Sequence, residues 1–282
     1  MKATGFLKIL AVLCLVFAVT CELFGPGVAA ALTAGIMLYA WAGEYIGLLK
    51  DGAVPLDRLG EYERSKLSRA MAQLAEDVKR TSGADISNLK LHLVPADEIN
   101  AFAYGLRSIA VTRGTLRCCD DATLCAVLAH EVSHVLHMDA LFSRVVFAGI
   151  TLVILGLIGL SAVSVSMLWV LFAMLCLGGV CGGFFSVYLF RGIGGLIKGW
   201  FSFLQHGLLF IYRFVMAFLK RRCEYRADQY SCQLGYGPQL SYFLTRFVEG
   251  SEARQKSIAD IIYATHPATY KRVLRIEQGG SG

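Results

Sequence analysis

The sequence predicts a mainly α-helical protein with several membrane spans, whose soluble part is α+β with a small β-sheet. Two observations carry this. Hydrophobic residues make up 56% of the 282, more than an ordinary soluble domain holds. They also gather in two blocks, about 6–49 and 145–219, while 50–140 and 220–282 read as mixed globular sequence.

The expected order is therefore an N-terminal transmembrane hairpin (1–49), the first half of a soluble domain (50–140), a membrane insertion (141–219) and the second half of that domain (220–282). The net charge of +6 does not point to nucleic acid, whose binders gather Lys and Arg on one soluble face among aromatics. Here Lys2, Lys8, Lys50, Arg58, Arg144, Arg191, Lys198 and Lys220-Arg221-Arg222 flank the apolar blocks, as in loops facing the cytoplasm. The nine cysteines show no CxxC spacing, and four lie in apolar stretches, which suits a reducing compartment.

Residues 6–24 follow a short basic start and could be read as a signal peptide. A second apolar run from Val28 to Leu49 follows the turn Gly25-Pro26-Gly27 at once and is long enough to cross about 30 Å of hydrocarbon, which favours a hairpin. In the second block Arg144 and Arg191 bracket 46 uncharged residues, with Ser161, Ser164 and Ser166 as a candidate outer turn, so a hairpin is expected over about 145–190. Beyond it, Arg191, Lys198, Gln205, Tyr212-Arg213 and Lys220 recur at a seven-residue step along one helix face. The segment 192–219 is then an amphipathic interfacial helix, or, on the competing reading, 196–219 is a true span with only one crossing before it.

His130 and His134 in His130-Glu131-Val132-Ser133-His134 are four apart, so on a helix both imidazoles project from one face and can share a zinc ion. Asp120 and Asp121 offer N-caps to a proline-free run leading into them. A catalytic zinc usually takes three protein ligands. Glu224 is the best third candidate, because Asp228 follows one turn later and could accept the free N–H of a ligating histidine. The bland alternative for that pair is a solvated, charged helix.

These motifs resemble the HtpX-type and CAAX-prenyl-protease-type integral membrane metallopeptidases, a gluzincin family. The resemblance rests on Ile99-Asn100-Ala101-Phe102-Ala103-Tyr104-Gly105, on Ala129 to His134 with Asp139 following, on Glu224-Tyr225-Arg226-Ala227-Asp228, and on Thr265-His266-Pro267 with Arg272. It implies a zincin-like catalytic domain in the cytoplasm, Zn2+ held by His130, His134 and Glu224, and Glu131 as catalytic base. It also implies donors to the carbonyl oxygen at His266 or Arg272, substrate contacts at Asn100, Ala101 and Phe102, and polypeptide substrates, membrane proteins among them, under quality control. Prenylated-peptide processing is the alternative from the other branch. The chain departs from the family in having His137-Met138-Asp139 where Asn-Gly-Asp is usual, and Ala268 after Thr265-His266-Pro267. His137 is expected to be structural or solvated, since a metzincin-like third histidine needs a longer spacing and a glycine turn.

Leu89–Val94 and Arg107–Thr112 alternate like short strands, one of them a candidate edge that would bind peptide backbone. Helices are expected at 61–81, with Leu67, Ala70, Met71, Leu74 and Val78 inward, at about 222–235, 238–250 and 253–263, and after Pro267. Two rivals remain: an intramembrane protease, disfavoured because no acidic residue lies between Arg144 and Arg191, and a zinc-binding membrane scaffold without activity.

Overall fold

A computed structural model describes residues 2–177, 184–248 and 268–279. The chain divides into two compact units, one formed by 1–146 with 216–282 and the other by 147–215.

In the first unit, helix α1 (Lys2–Phe24) and helix α2 (Pro26–Lys50) pair as a hairpin. Gly25 turns the chain at φ 82°, where a Cβ would be strained, and Pro26 opens α2 at a position that needs no N–H donor. Ala29 and Ala40 are wholly buried, and small residues of this kind let helices approach closely in a membrane.

The sheet has the order β1 (Val54–Pro55), β2 (Lys90–Val94), β4 (Ser108–Thr112), β3 (Ala101–Ala103). Strands β2 and β4 run parallel, Leu91 opposite Ile109, and the other two pairs are antiparallel. Strand β3 lies at the edge, so among the described residues one of its sides is unpaired. The two expected strands are β2 and β4, and the edge is supplied by a third, shorter one.

One face of the sheet carries the main core: Leu93, Ile109 and Val111 pack with Leu67 and Leu74 of α3 (Glu61–Ser82) and with Leu124, Leu128 and Val132 of α5 (Asp121–Leu136). Helix α3 buries Leu67, Ala70, Leu74 and Val78 of the expected stripe, with Met71 half-buried, and ends at Gly83 in the left-handed region. Lys66 is buried too; its ammonium donates to the carbonyls of Leu116 and Cys119 at the end of α4 (Arg113–Cys118). The opposite face, with Val94, Ala110 and Tyr104, packs against Leu48 and Ala53 after the hairpin.

Met216 onward in helix α7 (Phe184–Gln233), α8 (Gly237–Phe243) and α9 (Thr269–Gly279) complete this unit. The helix expected at about 222–235 is the end of α7 rather than a separate element. That expected at 238–250 is α8 followed by a π turn over Leu244–Val248, whereas 253–263 falls outside the described residues.

In the second unit the expected outer turn at Ser161–Ser166 is absent, because α6 (Asp139–Leu177) runs through it without a break. Ser164 and Ser166 donate to the carbonyls of Leu160 and Ala162, both at 2.8 Å, so their hydroxyls are satisfied within the helix and no turn is needed. Helices α6 and α7 run antiparallel here, Phe172 meeting Phe190 and Phe147 meeting Tyr212. The segment 192–219 belongs to the unbroken α7, with Lys198, Arg213 and Lys220 of the seven-residue series exposed. Among the described residues four helices, α1, α2, α6 and α7, are long and apolar enough to cross a membrane.

Candidate metal centre

Helix α5 is held from both ends. Asp120 caps it by accepting the N–H of Thr123 at 2.8 Å, and the chain leaves it through Met138, a non-glycine residue at φ 57°. Between them nearly every residue is buried, including His130 and Glu131. Helix α7 crosses α5 on a stripe of small residues: Ala227 is fully buried, and Ser231, one turn on, donates its hydroxyl to the carbonyl of Ala126 at 3.2 Å. Glu224 and Asp228 share that stripe at i and i+4, so the close approach sets both carboxylates over the two histidines.

The resulting cluster is compact. Nε2 of His130 lies 3.2 Å from Nε2 of His134, and the Glu224 carboxylate is 3.4 Å from the first and 3.8 Å from the second. Three donors at 2.0–2.1 Å from a tetrahedral zinc would stand about 3.3 Å apart. Two nitrogens and one carboxylate oxygen, all within 4.8 Å of one another, therefore fit a zinc ion in both spacing and chemistry.

Each histidine is backed by a carboxylate and each carboxylate by an arginine. His134 Nδ1 lies 2.9 Å from Asp139, whose two oxygens accept from Arg226 at 2.6 and 2.7 Å. His130 Nδ1 lies 3.0 Å from Asp228, though off the line of a good hydrogen bond. Asp228 receives two bonds from Arg272, at 2.8 and 2.6 Å, and a third nitrogen of Arg272 stands 3.3 Å from Glu224. Burial opposes charge on His130, but Asp228 and Glu224 outweigh it and hold the imidazole protonated up to about 10 in the metal-free site. Burial likewise opposes the Arg272 cation, and the same two carboxylates keep it charged.

The structure thus brings together His130, Glu131, His134, Glu224, Asp228 and Arg272 from sequence positions up to 142 apart. Arg272 stands behind the cluster, its guanidinium donating to Asp228 and lying 3.3 Å from Glu224. His266 lies outside the described residues. His137 bonds back to the carbonyl of Ser133 at 2.8 Å, outside the cluster, and burial lowers its pKa. Asn100 precedes the edge strand; its carbonyl accepts from Thr112 and Thr115, and its side chain from the N–H of Ala101. Ala101 and Phe102 lie in the strand itself, which contacts α5. Sequence reasoning missed the Arg226 partner of Asp139, although Arg226 stands only two residues after Glu224.

A helical membrane protein whose soluble unit offers two imidazoles one turn apart and a carboxylate to one cation has the fold and donor set of a membrane metallopeptidase. The chain belongs to peptidase family M48, whose model matches residues 61–279. It resembles the HtpX members. A protease HtpX homolog of Acidiphilium cryptum is 29% identical over 89% of this chain and 87% of its own length. The protease HtpX of Idiomarina loihiensis is 25% identical over 92% and 85%. The crystal structure of Ste24p from S. mikatae shares the fold at a TM-score of 0.51 and 19% identity, with 94% of this chain matched against 61% of that one.

Proposed function

We propose that the protein is a zinc-dependent endopeptidase that cleaves polypeptides at the membrane face, with its catalytic unit in the cytoplasm. The observation that carries the reading is the convergence of His130, His134 and Glu224 at the spacing of one ion, with Glu131 buried beside them on the same helix. A zinc ion held there would acidify a water and polarise the peptide carbonyl.

The remaining chemistry belongs to the chain. Glu131 is next to the ligands without being one of them, so its carboxylate can take the proton of the attacking water and return it to the leaving amine. Asp139 and Asp228 each stand at the Nδ1 of one ligating histidine, which fixes the tautomer and leaves Nε2 as donor to the metal. Arg272 holds Glu224 and Asp228 in one arrangement, and on this reading it positions the site instead of contacting the substrate. His266 remains the candidate donor to the developing oxyanion.

Strand β3, with Ala101 and Phe102, would receive the substrate as an added strand, main chain to main chain, which gives affinity with little sequence preference. That property suits the clearance of misfolded membrane proteins. The positive residues beside the apolar helices, Lys50 and Lys220 to Arg222 among them, support a cytoplasmic catalytic unit.

The test is Glu131→Gln in the full-length protein, with casein and an unfolded membrane protein as substrates. Zinc content should stay at the parent level while cleavage falls about a hundredfold to ten-thousandfold. Cleavage at the parent rate would remove Glu131 from the reaction.

A further inference from the structure

Helix α2 carries an acidic residue, Glu44, in its last two turns, and the site described above does not use it. An ionisable side chain in a membrane helix is costly unless it is paired or functional. Glu44 is paired with the turn between β3 and β4. Its Oε2 accepts the backbone N–H of Leu106 at 2.7 Å, and its Oε1 accepts the hydroxyl of the buried Ser108 at 2.5 Å.

The neighbouring contacts converge on the same five residues. Tyr104, the residue after β3, donates its hydroxyl to Asp51 at 2.5 Å just beyond α2. Its carbonyl accepts from Arg144 of α6 at 2.5 Å, and Arg144 also reaches the carbonyl of Ala40 in α2. Three glycines make room for this: a Cβ on Gly43 would strike Arg144, on Gly47 the Tyr104 ring, and on Gly105 the Glu44 side chain. The turn 104–108 is thus held through main chain and side chain by the end of the N-terminal hairpin.

Strand β3 has three residues and, among the described residues, one paired neighbour, β4. So short an edge has little stability of its own. We propose that Glu44, supported by Arg144 and by Tyr104 on Asp51, is a positioning residue for substrate: it holds β3 in register beside α5, making the hairpin part of the peptide-binding apparatus. The inference rests on the reading of β3 as the peptide-binding edge.

The test compares the full-length parent with Glu44→Ala in nanodiscs, by hydrogen exchange and by steady-state kinetics on one peptide. In the variant, amides of 101–108 should exchange at least tenfold faster while those of α5 keep the parent rate. The KM should rise at least fivefold, with kcat within twofold and zinc content unchanged. Unchanged exchange, or a fall in kcat at constant KM, overturns the proposal. If Glu44→Ala does not fold, Ser108→Ala removes the contact to Oε1 alone and should show the same pattern more weakly; parent-like exchange there overturns it as well. Should the parent cleave no peptide, the proposed function fails, while the exchange data still decide whether Glu44 anchors the strand.

Discussion

Arg226 of α7 grips both oxygens of Asp139, the first residue of α6, at 2.6 and 2.7 Å, while Asp139 holds Nδ1 of His134. The helix that presents Glu224 is thereby tied to the imidazole on α5, and the two candidate ligands are set by one chain of contacts. On the other side, His130, Asp228 and Arg272 repeat the pattern. Partners behind a metal ligand orient it and raise its basicity, so their loss is felt as weaker metal binding.

Asp139→Asn and Arg226→Met should each weaken zinc binding about tenfold to a hundredfold, as measured by competition with a chromophoric chelator. The double variant should lose little more than either single one, because the two residues act in series. Full additivity would show that Arg226 does not act through Asp139.

Zinc binding should release a proton from His130, since the metal needs the neutral imidazole and the carboxylates hold that group protonated up to about 10. Apparent affinity should then rise about tenfold per pH unit between pH 6.5 and 9. The fold without metal should show the opposite trend in stability. Its His130 pKa lies above the unfolded value, so that stabilisation is complete below about 6.5 and fades as pH rises towards 10. Calorimetry in buffers of different ionisation enthalpy checks the proton count, and zero protons released would contradict the assignment.

Stripping the metal with a chelator should lower the unfolding temperature of the parent, because a ligand that binds only the folded chain stabilises it by mass action. Glu224→Ala should show a smaller drop on the same treatment, having little zinc to lose. Equal drops in both proteins would send the search for the third ligand elsewhere.

Lys66→Met should destabilise the soluble unit by about 1–3 kcal/mol, since it leaves the buried carbonyls of Leu116 and Cys119 without their donor. Zinc affinity should remain at the parent value. Thermal unfolding in detergent reads the first, chelator competition the second.

What could be read from the chain follows the range of the interactions involved. His130, His134, Glu224 and Asp228 are set by helical spacing, and a four-residue step shows itself wherever it occurs. Helix α3 showed itself the same way, through Leu67, Leu74 and Val78. The turn expected at Ser161–Ser166 does not form because the hydroxyls of Ser164 and Ser166 bond inside the helix, so polarity there is no break. Of the two readings of 192–219, the described helices match the span preceded by a single crossing, since α6 and α7 are each long and apolar enough to cross once. Arg226 on Asp139 and Glu44 on the β3–β4 turn had no local signal, since each joins residues 87 or 62–64 positions apart.

Gly5 of α1 lies so close to the carbonyl of His137 that a Cβ there would overlap it, and the end of α2 covers the Tyr104 ring. A chain cut back to begin near Asp51 would therefore be more than a protein without its membrane anchor. It would expose the corner where the active-site helix ends and one face of the sheet, both shaped to be covered. Solubilising this enzyme by deletion should yield a looser, aggregation-prone molecule, and detergent or nanodisc preparations of the whole chain are the sounder material for measuring it.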